Sequence, residues 1–276
     1  MSFVGNRFTI YTFIFKFASY TNVMNILLTN DDGIHADGIY ALYLSLKKIG
    51  QVTVVAPDSE RSSVGHGVTL RHPLWQKKNF RNGKFFGTSL SGLPADCVKF
   101  GVEVVLKRKP DMVVSGINCG PNEGASVHYS GTVAGAREGA LMGIPSVAVS
   151  YNSFTKGDYT YAAKIAAKIC KIVAVKSMPQ GTFLNVNVPA VKPSQVKGVR
   201  WTRQGLEPIL SKFTRREDPN LREYYWLAGD PPPVKSDDGT DTWALHHGYV
   251  TVTPIQSDLT NNDYLETLKS YQKLLR

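Results

Sequence analysis

Two adjacent carboxylates, Asp31 and Asp32, stand between a short apolar run, Ile26-Leu27-Leu28, and Gly33. Two more polar stretches follow apolar runs in the same way. Pro57-Asp58-Ser59-Glu60-Arg61-Ser62-Ser63 comes after Val52–Ala56, and Gly116-Ile117-Asn118-Cys119-Gly120 comes after Asp111–Ser115. Asp31, Asp32, Ser62 and Asn118 together offer two carboxylates, a hydroxyl and an amide oxygen. An all-oxygen set without His or Cys suits a hard divalent ion such as Mg²⁺ or Mn²⁺ rather than zinc. Four such ligands leave open positions for water and a phosphate oxygen. Gly116, Gly120 and Gly124 let backbone amides approach an anion closely. Ser130, Gly131 and Thr132 lie at a helix start, where unpaired N–H groups and the helix dipole attract phosphate. A cation on one side and an anion-binding helix end on the other describe a phosphoryl-transfer pocket, in which the ion polarises the ester and activates water.

The surrounding elements must bring these residues together. Ile26–Leu28, uninterrupted by polar residues, is expected of a strand buried on both faces. Asp37 stands before an amphipathic segment, Ile39–Ile49, as its N-cap, and Gly50 closes that helix. Val52–Ala56 is a β-branched strand, so the first unit is strand, helix, strand with a parallel pair. Val68–Leu70 and Lys84–Phe86 are expected to form a hairpin on the flank of the sheet, around Asn82-Gly83. Pro94 opens a helix to about Leu106, with Lys107-Arg108-Lys109 at its carboxyl end. Strands follow at Asp111–Ser115 and Ser146–Ser150, separated by a small-residue helix from Val133 to Met142. Parallel strands of one doubly wound sheet put the loops bearing Asp31-Asp32, Ser62 and Asn118 on one edge.

The second half is less regular. A lysine-bearing amphipathic helix spans 158–176 and a strand Thr182–Val188. Val199–Gln204 and Arg222–Leu227 are expected as strands of a hairpin or extension, with Lys212, Arg215 and Arg216 in a basic loop between them. Pro231-Pro232-Pro233 and Ser236-Asp237-Asp238-Gly239 mark a flexible crossing. Tyr249–Thr253 is a late strand, and Asn262–Leu274 a terminal amphipathic helix. The chain thus divides into a lead of uncertain role (1–23), a core bearing the site (24–155), and the remaining sheet, extension and terminal helix (156–276).

Composition bounds the partners. Across 276 residues, Lys+Arg minus Asp+Glu is 32 − 22 = +10, which favours anionic partners without selecting one. Cys97, Cys119 and Cys170 are odd in number, widely spaced and free of CxxC, so a reducing cytoplasm is expected rather than a disulfide framework. The aromatic-rich lead, with Arg7 and Ala18-Ser19, weakly resembles a secretory signal. Lys16 interrupts it well short of a membrane span, and no other stretch is apolar enough for one.

NDDG at 30–33, APDSERSSVGHGVTL at 56–70, VSGINCGPN at 114–122 and YSGTVAGAREGA at 129–140 resemble the SurE family of survival-protein nucleotidases. The likeness runs from Met24 through GYVTVTPI at 248–255. It implies a Rossmann-like, three-layer, mostly parallel α/β fold, assembled as a homodimer or homotetramer that exchanges its C-terminal hairpin extension and terminal helix. It also implies a phosphatase using one divalent cation per subunit, acting on nucleoside 5′- and 3′-monophosphates and in some cases short polyphosphate. Asp31, Asp32, Ser62 and Asn118 fall on the family's metal ligands, and Ser130, Gly131 and Thr132 on its phosphate-contacting turn. Asp31 is expected also to orient the attacking water, while Asn118 and nearby amides stabilise the transition-state oxygens.

Other chemistry-bearing residues have plainer explanations. His246-His247 precedes a strand, where neighbours point to opposite faces and cannot share an ion. His66 is expected to be structural, Cys119 to be packed without a base beside it, and Lys164, Lys168 and Lys171 to be a solvated helix face. A dinucleotide-dependent oxidoreductase would need a GxGxxG after the first strand, which is missing. A nucleic-acid module would fit the charge, but no recognition motif accompanies it. No stable nucleic-acid or membrane partner is therefore expected.

Overall fold

The computed structural model describes residues 23–155, 157–207, 212–228 and 236–275. Residues 1–22 of the lead and Pro231–Pro233 of the expected crossing lie outside them. β1 (Met24–Thr29), β2 (Gly50–Pro57), β3 (Gln76–Arg81), β4 (Lys84–Leu90), β5 (Met112–Cys119), β6 (Ser146–Asn152), β7 (Thr182–Pro189), β8 (Val199–Trp201) and β11 (Val250–Gln256) build one sheet in the order β3-β4-β2-β1-β5-β6-β7-β11-β8. All neighbours are parallel except β3–β4 and β7–β11. The sheet is therefore mostly parallel, and strand order reverses beside β1, between its β2 and β5 partners.

Helices cover both faces, because each strand places successive side chains on opposite sides. Ile26 and Leu28 join the core under α1 (Asp37–Leu46) and α4 (Thr160–Val175). Leu27, between them, packs with Cys97 and Val98 of α2 (Pro94–Phe100). Beside α2, α3 (Gly131–Leu141) sets Val133, Ala136 and Ala140 against Ala148 of β6 and Phe183 of β7. The result is the three-layer doubly wound α/β arrangement expected from the strand and helix pattern. Among the described residues no helix is long and apolar enough to cross a membrane.

Several local expectations are corrected. Ala36, not Asp37, is the N-cap of α1; Asp37 enters the first turn, where its charge still complements the dipole and its carboxylate accepts from Arg81 at 3.3 Å. Gly50 does not close that helix but begins β2. A Cβ there would lie 2.3 Å from the Met24 carbonyl oxygen, so glycine is what lets β2 start against β1. The Asn82-Gly83 turn stands, with both residues at positive φ, but its first strand is β3. Val68–Leu70 is diverted because Asp96 accepts the Thr69 N–H at 3.0 Å and its hydroxyl at 2.7 Å. The helix from Pro94 does run to Leu106, its last six residues as a π-helix.

The basic segment at Lys212, Arg215 and Arg216 is not a loop. It forms β9 (Lys212–Glu217), paired antiparallel with β10 (Glu223–Ala228) in a separate two-stranded sheet. Val199–Trp201 does not join that hairpin but runs parallel to β11 in the main sheet. α5 (Asp241–His246) is an unforeseen helix, its N-cap Thr240 accepting the Trp243 N–H at 3.3 Å. The chain ends in α6 (Asn262–Ser270) and a 3-10 turn at Gln272–Leu275.

Candidate functional site

The acid pair leaves β1 at the point where strand order reverses, the position at which open α/β sheets leave a crevice. The turn is held tightly. Asn30 donates its side-chain amide to the Gly33 carbonyl at 2.9 Å, and the Ile34 N–H donates to the Pro57 carbonyl at 2.9 Å. Gly33 adopts φ +92°, where a side chain would also approach the Ser59 backbone. The Arg61 N–H donates to the Asp31 carbonyl at 2.7 Å, which ties the loop after β2 to the loop after β1.

The two carboxylates face different neighbours. Thr132 donates its hydroxyl to Asp31 Oδ1. A Cβ on Gly131 would lie 2.8 Å from Asp31 Cβ and 2.9 Å from its Oδ2, so only glycine allows α3 to begin this close to the acid. Ser130 caps α3, its Oγ accepting the Val133 N–H at 3.0 Å. Asp32 Oδ2 instead accepts the Cys119 N–H at 3.1 Å, at the end of β5. Next to it, Asn118 donates Nδ2 to the Gly120 carbonyl at 2.8 Å, which leaves the side-chain carbonyl as its remaining donor atom for a cation. Asp31, Asp32, Asn118, Gly131 and Thr132 thus come to one corner, with Ser130 capping the helix that starts there.

Ser62 is placed differently. It is exposed, and its hydroxyl donates to Glu60 Oε1 at 2.6 Å rather than to either aspartate. Glu60 was not singled out from the sequence, yet its charge raises the pKa of both Asp31 and Asp32. Its signal was its place two residues before Ser62, on a loop already expected at this edge.

Charge at the corner is poorly compensated. Burial raises the Asp31 pKa, against the lowering effect of its hydrogen bonds from Thr132. Burial and then the Asp31 charge push Asp32 up to about 7. Among the described residues no ion pair involves either carboxylate. A buried and a half-buried carboxylate, side by side and next to an amide oxygen, form a donor set that a hard divalent cation fits, since it would relieve both the desolvation and the repulsion.

The other candidates have local partners. His66 Nε2 lies 2.8 Å from Glu138 Oε2, and Lys99 bridges the same carboxylate at 2.5 Å, so His66 fastens its loop to α3. His246-His247 ends α5 rather than preceding β11 directly. His246 bonds Glu123 at 2.9 Å, while His247 stacks on Trp243 with ring centroids 3.7 Å apart. The Cys119 thiol donates to the Ser153 carbonyl at 3.4 Å.

A doubly wound sheet with an acid pair and a helix start at its reversal point defines an α/β protein with a polar ligand site at the carboxyl edge. Known proteins narrow this further. Residues 26–209 match the family model described as "Survival protein SurE". The chain is 48% identical over 245 residues to 5′-nucleotidase SurE of Syntrophobacter fumaroxidans, covering 89% of this chain and 98% of that protein. It is 49% identical over 246 residues to 5′-nucleotidase SurE of Thermosipho melanesiensis, covering 89% and 96%. The crystal structure of SurE protein from Aquifex aeolicus superposes with a TM-score of 0.79 at 40% identity, covering 90% of this chain and 99% of that one. The chain belongs to the SurE family.

Proposed function

We propose that this protein is a metal-dependent phosphomonoesterase that hydrolyses nucleoside 5′- and 3′-monophosphates to nucleoside and phosphate. The observation that carries this reading is the Asp31-Asp32 couple against the start of α3, Asp31 buried, Asp32 half-buried and neither in an ion pair among the described residues. Relatives named 5′-nucleotidase support the substrate class. One Mg²⁺ or Mn²⁺ per subunit would be held by Asp31, Asp32 and Asn118, with Ser62 joining once its hydroxyl leaves Glu60. When bound, such an ion supplies Lewis-acid polarisation of the ester and a lowered water pKa.

The chain's own residues divide the remaining work. Thr132 donates its hydroxyl to Asp31 Oδ1, and Oδ2 is assigned to orienting the attacking water and accepting its proton. Cys119 occupies Asp32 Oδ2, which leaves Oδ1 for the cation. Asn118, Ser130, Gly131 and Thr132 bind the phosphate, the last three at the positive end of α3, where the Ser130 N–H is already given to the Ser126 carbonyl at 3.1 Å. These donors stand ready before the reaction, so stabilising charge on the transferring phosphoryl group requires little rearrangement.

The exposed β9–β10 hairpin and α6 are proposed as the elements exchanged in a homodimer or homotetramer, since Phe213, Trp226 and Leu268 lie uncovered on them. The three free cysteines support a cytoplasmic setting. Short polyphosphate is a further candidate substrate. The test is phosphate release from a panel of nucleoside monophosphates, with EDTA and then with Mg²⁺ or Mn²⁺ restored. Abolition by chelator and recovery with the ion are expected; full activity in chelator overturns the reading.

A further inference from the structure

β7 has β6 on one side and β11 on the other, and a central strand of this kind is ordinarily apolar. Its sequence, Thr-Phe-Leu-Asn-Val-Asn-Val-Pro, instead places Asn185 and Asn187 two residues apart and therefore on one face, both fully buried. Asparagine is disfavoured in strands, and buried amides cost stability unless fully bonded. Here Asn185 Oδ1 has no partner among the described residues. A local rule broken without a gain in stability points to function.

Both amides are spent on a single residue. The Asn122 N–H donates to Asn187 Oδ1 at 2.8 Å, and its carbonyl accepts Asn185 Nδ2 at 2.6 Å and Asn187 Nδ2 at 3.2 Å. The Asn122 side chain in turn donates to Ser150 Oγ of β6 at 2.8 Å, and Ser150 is in register with Asn187. Asn122 is thereby gripped at its N–H, its carbonyl and its side chain. Its position in the chain gives the grip its meaning. On one side, Gly120 donates its N–H to the Tyr151 carbonyl at 3.0 Å and accepts the Asn118 amide. On the other, the Gly124 N–H donates to Asp241 Oδ2 at 3.1 Å, and a 3-10 turn, Gly124–His128, leads to Ser130. The fastened residue therefore lies between the residue proposed for the cation and those proposed for the phosphate.

We infer that Asn185 and Asn187, acting through Asn122, are positioning residues that fix the spacing between Asn118 and the Ser130–Thr132 turn. This rests on the reading of those residues under the proposed function. Neither asparagine is assigned contact with substrate or ion. Their effect is geometric: loosening Asn122 lets the two halves of the site drift, and a displacement of about 1 Å can cost about 100-fold in rate.

The test compares Asn187→Ala and the milder Asn185→Ala with Val186→Ala, which removes buried volume from the opposite face of β7. Thermal midpoint, Mn²⁺ affinity measured from the free-ion resonance signal, kcat and KM for AMP, and amide hydrogen exchange over 118–132 are read for each. Asn187→Ala is expected to weaken Mn²⁺ binding about 10-fold, to lower kcat 10- to 100-fold at saturating Mn²⁺, and to speed exchange over 118–132. Asn185→Ala should do the same to a smaller extent. Val186→Ala should lower the thermal midpoint while leaving affinity, kcat and loop exchange near wild type. The inference is overturned if Asn187→Ala leaves loop exchange unchanged, or if Val186→Ala at equal destabilisation reproduces its losses. Should the wild-type protein release no phosphate from AMP in Mn²⁺, the proposed function fails instead, and loop exchange still decides whether the asparagines hold the segment.

Discussion

At the carboxyl edge of β1 and β5, polar side chains are buried: Asp31 is 4% exposed and Thr132 0%. On the β9–β10 hairpin the reverse holds, with Phe213 70% and Trp226 59% exposed. Both regions invert the ordinary sorting of residues between interior and surface. At the sheet edge, compact packing surrounds carboxylates that have no counter-charge among the described residues. On the hairpin, apolar surface lacks packing. The first region asks for something small and charged, the second for another protein surface. The proposed chemistry and the proposed assembly therefore fall on separate parts of the molecule, and each proposal can be tested without disturbing the other.

The sharpest break would come from Asp31→Asn or Asp32→Asn. Each is expected to lower phosphate release from AMP by roughly 1,000-fold while the circular dichroism spectrum is retained. Near-wild-type turnover of both variants at saturating Mn²⁺ would remove the sheet edge from the comparison. Gly131→Ala should come next, at about 10- to 100-fold, because its methyl would press on Asp31 and move the acid or the start of α3. Steady-state kinetics beside a titration of Mn²⁺ would separate those two displacements.

Replacing Phe213 and Trp226 together by Glu addresses the other side. Light scattering should then report a smaller particle than wild type, with Mn²⁺ affinity within about 2-fold of wild type if the two regions are independent. An unchanged mass would mean that the hairpin is not where copies associate. The smallest effect concerns Glu138. Burial tends to raise its pKa, but hydrogen bonds and charge from His66 and Lys99 prevail and hold it below its ordinary value of 4.5. A carboxyl depressed on folding contributes stability above its unfolded pKa and loses it as pH falls through the folded one. Wild type should accordingly lose on the order of 1 kcal/mol more than His66→Ala between pH 6 and roughly pH 3, measured by urea unfolding.

Legibility in the sequence followed the same division. β1, β5 and β6 each carry an apolar run buried on both faces, Ile26–Leu28, Met112–Val114 and Val147–Val149, a pattern that needs no tertiary knowledge. Because such strands lie parallel, the loops after them had to share an edge, and Asp31, Asp32 and Asn118 could be brought together on that ground alone. β9 was illegible because Lys-Phe-Thr-Arg-Arg-Glu has no buried face; its strand character comes from backbone pairing with β10. α5 was missed because six residues are too few for a helical period to emerge. Val68–Leu70 misled because its β-branched composition is overruled by one carboxylate, Asp96, which no local pattern reveals. The present orientation of the Ser62 hydroxyl depends on Glu60 in the same way. Asn185 and Asn187 passed as ordinary residues of an expected strand, because the partner that explains them lies more than sixty residues away.

A nine-stranded sheet with open margins would ordinarily invite other copies to add strands along them. One margin here, β3, carries Lys77, Lys78 and Arg81, and the other, β8, is only three residues long. Cationic repulsion at one end and too short a template at the other discourage ribbon-like growth. Lateral joining of one main sheet to the next is thus disfavoured at both ends, which leaves association between copies to surfaces outside that sheet.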